Sequence, residues 1–138
     1  MMPYFIGRIL ELPLTTTQDY SLFHILNDYS IELWKQQMTL IMERHGLMSF
    51  IVHPDYIIER KAQFVYKELL TYLRKIRSEK NVWTAVPREV NSWWRERSQM
   101  RLVSRGSGWQ IEGPGKERAR IAYASLQGDR LIYTLEET

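Results

Sequence analysis

His53 closes the run Leu47-Met48-Ser49-Phe50-Ile51-Val52-His53-Pro54, an apolar stretch ending in an imidazole. Imidazole titrates near neutral pH, so His53 can serve as acid, base or ligand. The plainer alternative is a helix- or strand-end histidine bonded to backbone. Asp55 lies two residues on. It can orient such a ring, or cap the helix that follows. Asp19 comes after the polar stretch Thr15-Thr16-Thr17-Gln18. It either caps a short helix or faces the same side of the molecule as His53.

Other chemistries are missing from the sequence. Gly113-Pro114-Gly115-Lys116 has the wrong spacing for a phosphate loop, and Glu117 stands where that loop needs Ser or Thr. His24, His45 and His53 make no HxxxH or HExxH arrangement, and no Gly-x-Ser-x-Gly elbow occurs. There is no cysteine, which excludes disulfide scaffolds, thiolate zinc sites and cysteine nucleophiles. Basic stretches at Lys75–Lys80, Arg95–Arg101 and Lys116–Arg120 are interrupted by Glu79, Glu96 and Glu117. They read better as solvated faces than as a nucleic-acid surface. Trp93-Trp94 can stack on a sugar or a base, with one ring packing inward beside Val90.

The elements that must hold these residues follow from hydrophobic period. Residues 4–12 read as a strand ended by Pro13, and 19–27 as a short helix. Ser30 opens a helix on which Ile31, Trp34, Met38, Ile41 and His45 share a face, with Gly46 as its stop. Residues 47–53 read as a buried strand and 57–77 as an amphipathic helix. Residues 82–86 read as another buried strand, and Pro87 opens a helix over 88–97. Strands alternating with helices predict parallel α/β units over residues 1–98. Residues 99–138 read as an antiparallel meander, with strands at 100–104, 109–112, 118–125 and 130–135. Turns are expected at Gly106-Ser107-Gly108, Gly113-Pro114-Gly115 and Gln127-Gly128-Asp129.

The whole chain has 138 residues, 44% hydrophobic and 25% charged, which excludes collagen, coiled coil and low-complexity disorder. The net charge of +3 permits an anionic partner without calling for one. No apolar run approaches the ~20 residues that span a bilayer, so no membrane association is expected. Residues 1–8 do not form a signal peptide, which makes the cytoplasm the default compartment.

Residues 47–54 resemble the strand-and-histidine motif of the NodB-type polysaccharide deacetylases, a carbohydrate esterase family. Asn81–Val90 with Trp93-Trp94 is similar to that family's final strand and helix. Gly7–Leu14, with Asp19 beyond it, resembles an inner strand of its distorted barrel. The resemblance implies a partial (β/α) barrel followed by the antiparallel extension. It implies a hydrolase that removes N-acetyl groups from carbohydrate. His53 would be the acid that protonates the departing amine, and Asp19 the carboxylate that tunes it. Trp83 and Tyr56 would bind substrate. A divalent metal such as zinc is expected only with a missing N-terminal half, because the family's Asp-Asp pair, paired metal histidines and base-orienting Arg are not found here. This chain is therefore expected to hold no cofactor of its own and to be inactive until completed. Open edges of a partial barrel imply self-association or pairing with another chain. Two other accounts stand beside this one: a non-catalytic interaction module, and a small nucleic-acid-binding domain.

Overall fold

The computed structural model describes residues 1–106 and 108–136. They fall into two compact units, Met1–Thr84 and a second from Ala85 onward.

The first unit opens with a hairpin where one strand was expected. β1 (Tyr4–Ile6) pairs antiparallel with β2 (Ile9–Glu11). Gly7 takes φ +59° at the first position of the two-residue turn, which an L side chain resists, so the chain folds back there. The expected helix over 19–27 is a single π-helical turn, Ser21–Ile25, whose Leu22 and Phe23 point inward.

α1 (Glu32–Met42) buries Trp34 and Met38. It ends as a Schellman motif: His45 N–H bonds Met42 O at 3.0 Å, and Gly46 N–H bonds Ile41 O at 3.0 Å. His45, not Gly46, is the left-handed residue, with φ +50°. Gly46 is needed for a different reason. A Cβ there would sit 3.1 Å from both the Ile41 side chain and the Met1 carbonyl.

α2 (Arg60–Glu79) buries Ala62, Val65, Leu69 and Ile76 along one stripe. That stripe joins Leu22, Phe23, Ile31, Trp34 and Met38 in one apolar cluster.

Segments 47–53 and 82–86 form no strand and no helix. The partial (β/α) barrel with parallel strands is therefore overturned. Among the described residues there are three separate two-stranded sheets, all antiparallel, and no closed barrel. The reason lies in the side chains around 47–53. Residues 13–19 run beside 49–53 in the same direction, yet hydroxyls and a carboxylate take the backbone groups a ladder would use. Ser49 Oγ donates to Pro13 O (2.6 Å) and accepts from Thr15 N–H (3.0 Å). Thr16 Oγ1 donates to Ser49 O (2.7 Å). The backbone bond Asp19 N–H to Ile51 O is long, 3.4 Å. Segment 82–86 is not buried either, with Trp83 57% and Val86 49% exposed.

The second unit begins with α3 (Pro87–Ser98). Pro87 sits in its first turn, and Glu89 accepts the Val86 N–H at 3.0 Å. β3 (Arg101–Arg105) pairs with β4 (Gly108–Glu112), and β5 (Ala122–Gln127) with β6 (Arg130–Leu135). The two hairpins share no ladder, so the single meander is corrected to two separate hairpins. A 3-10 turn, Lys116–Arg118, and the segment that follows it stand between them. Ser107, in the first expected turn, lies outside the described residues.

Candidate functional site

Asp19 and His53 are 34 residues apart in sequence and in direct contact in the fold. Asp19 follows the 13–19 segment and His53 ends the segment beside it, so the side-by-side run delivers both to one place. Asp19 is fully buried. Its Oδ1 accepts the His53 Nδ1–H at 2.7 Å and the Tyr20 N–H at 2.8 Å. Its Oδ2 accepts the His53 backbone N–H at 2.5 Å. The carboxylate thus grips both the main chain and the ring of His53.

That grip has a chemical consequence. A carboxylate acts only as acceptor, so its contact with Nδ1 assigns the ring proton to that nitrogen. The His53 side chain is 42% exposed. No described residue bonds Nε2. This is the geometry of an oriented acid–base imidazole.

Neither capping alternative holds. Asp19 reaches across to another segment, and no side chain caps the π-helical turn. Asp55 lies inside the 3-10 turn Pro54–Tyr56, short of the start of α2 at Arg60. Among the described residues, no hydrogen bond or ion pair joins Asp55 to His53.

Tyr56, expected from the resemblance to bind substrate, lies beside His53. Its ring meets that of His53 at 5.1 Å, edge to face. It also meets His24 at 4.9 Å and Tyr20 at 5.4 Å. Tyr20 and His24 were not singled out from sequence. Their i, i+4 spacing on a turn that opens right after Asp19 was the available signal, and their rings lie 5.5 Å apart. Trp83 is not brought in: no ring contact or hydrogen bond links it to this group among the described residues.

No three His, Asp or Glu side chains among the described residues are placed to share an ion. The basic stretches lead elsewhere. Arg118 lies over the Trp93 ring at 4.3 Å and pairs with Glu96, and Arg97 lies over Trp94 at 4.8 Å. No helix among the described residues is long and apolar enough to cross a membrane.

Comparison of the chain with protein-family models, with curated proteins and with solved structures finds no match.

Proposed function

We propose that this chain carries the acid–base part of a hydrolytic site that removes acetyl groups from an N-acetylated carbohydrate. The observation that carries the reading is the buried Asp19 carboxylate holding a partly exposed His53 ring whose Nε2 has no hydrogen bond among the described residues. When the amide C–N bond breaks, the nitrogen needs a proton, and protonated His53 supplies it from Nε2. Water provides the hydroxyl that leaves with the acetyl group as acetate. Asp19 is a positioning residue: it fixes the tautomer and the ring plane. The Tyr56, Tyr20 and His24 rings form a half-open aromatic surface suited to the apolar face of a sugar ring. Activation of the water is assigned to groups outside the described residues.

Calorimetric titration with a chitin-type oligosaccharide tests this. Binding that is lost in Tyr56→Ala and weaker for the fully deacetylated oligomer is the expected result. Equal binding by wild type and Tyr56→Ala, or none, contradicts it.

A second reading, an interaction module, has its own support. Leu126, Leu131, Tyr133 and Leu135 lie on one face of the β5–β6 hairpin by register, and each is at least half exposed. Arg130 and Gln127 occupy the opposite face. An isolated hairpin is marginal in water. An uncharged apolar face matches itself best, so a second copy of this chain, related by a two-fold axis, is the occupant proposed.

A further inference from the structure

The second unit contains a cleft of about 380 Å³ that the acid–base site does not use. That volume lies within the range of small-ligand sites, roughly 300–1,000 Å³. β4 supplies Trp109 and Ile111, the segment from the 3-10 turn supplies Lys116, Glu117, Arg120 and Ile121, and Glu136 completes the lining. Ile121 is buried, and its carbonyl accepts the Glu136 N–H at 2.9 Å, which ties these two residues together.

The charges in the cleft are unevenly partnered. Glu117 lies 3.9 Å from Arg118, and Glu136 accepts the Tyr123 hydroxyl at 3.4 Å. Lys116 and Arg120 pair with no carboxylate among the described residues. Two cations without acidic partners therefore share the cleft with a half-exposed indole, Trp109 being 49% exposed. Cations in a concave site favour an anion, and Arg holds phosphate or carboxylate oxygens in its planar fork. The indole offers a flat apolar face for a ring.

We propose that this cleft binds a small ring-bearing anion, its phosphate or carboxylate between Lys116 and Arg120 and its ring on Trp109. The site does not depend on the chemistry proposed for His53.

The test follows the Trp109 indole N–H by NMR, alongside calorimetry, in the intact chain. The probes are glucose 6-phosphate, adenosine monophosphate, glucuronate, glucose and inorganic phosphate. At least one ring-bearing anion is expected to bind and to move the Trp109 signal, and glucose is expected not to. The tightest of the three shows which ring and which anion the cleft prefers. The double variant Lys116→Ala/Arg120→Ala should weaken binding by at least about tenfold, while Arg118→Ala, outside the cleft, should not. Absence of binding at about 10 mM, or equal binding by the double variant, overturns the proposal. So does inorganic phosphate binding as tightly as every ring compound, since the ring then contributes nothing. A dispersed wild-type-like spectrum of the double variant shows that its fold is kept.

Discussion

At the scale of single residues, Asp19 is the most constrained polar group of the first unit. It is fully buried and accepts three N–H groups, two of them from His53. Asp19→Asn keeps the size but turns one acceptor oxygen into an NH₂ that meets N–H donors. The expected loss is about 2–3 kcal/mol of stability, read from urea unfolding. His53→Ala removes a partly exposed ring that packs mainly on Tyr56. It also takes one donor from the buried Asp19 carboxylate, which keeps its two backbone N–H partners, so the expected cost is about 1–2 kcal/mol, below that of Asp19→Asn. A His53→Ala loss as large as that of Asp19→Asn would make the ring a structural element rather than a functional one. His53 and Asp19 were both visible in the sequence as candidates, because each follows an apolar or polar run that has to end at a loop. Their contact was only one of two readings for Asp19. Tyr20 and His24 were missed because a single five-residue turn is too short for one i, i+4 pair to stand out as a face.

At the scale of elements, helices were more legible than strands. α2 and α3 show 3.6-residue spacing of apolar side chains, and Pro87 with Glu89 gives a local start signal for α3. Segment 47–53 is apolar enough for a strand, yet apolar content does not say where its backbone hydrogen bonds go. Here Ser49, Thr15, Thr16 and Asp19 take them. The same side chains keep 13–19 and 49–53 in step, and so set the distance between Asp19 and His53. Ser49→Ala leaves the Thr15 N–H and the Pro13 carbonyl without their partner. The expected cost is about 1–3 kcal/mol, together with mixed His53 tautomers in the NMR spectrum. A Ser49→Ala variant with unchanged stability and tautomer would show that the hydroxyl does not hold the segments in step. Segments 4–12 and 42–46 misled in a different way. Gly7 turns one expected strand into a hairpin, and His45 takes the left-handed position that glycine usually fills.

At the scale of the whole molecule, burial is unequal. The apolar cluster of nine side chains lies entirely in the first unit. In the second, Val90 and Ile121 are the buried hydrophobics among the described residues. Local stability follows buried apolar contact. Amide exchange should therefore be fast in β5 and β6 and slow in α1 and α2 of dilute protein. If the apolar face of β5–β6 pairs with a second copy, that hairpin should gain protection as concentration rises. Leu126→Asp/Tyr133→Asp should abolish the gain and hold the chain monomeric in sedimentation velocity. A wild-type chain that stays monomeric at high concentration would remove the self-association reading. The overall architecture was the least legible level, since a strand–helix alternation implies a parallel sheet only if the strands bond to one another.

Asp19 holds His53 with the proton on Nδ1, and Nε2 is the atom proposed to meet substrate. Nitrogen-15 NMR of the histidine rings, on the free chain and during titration with an N-acetylated oligosaccharide, tests it most directly. The Nδ1–H tautomer is expected for neutral His53, with a movement of the Nε2 resonance as sugar is added. An Nε2–H tautomer, or an Nε2 resonance that ignores the sugar, would contradict it.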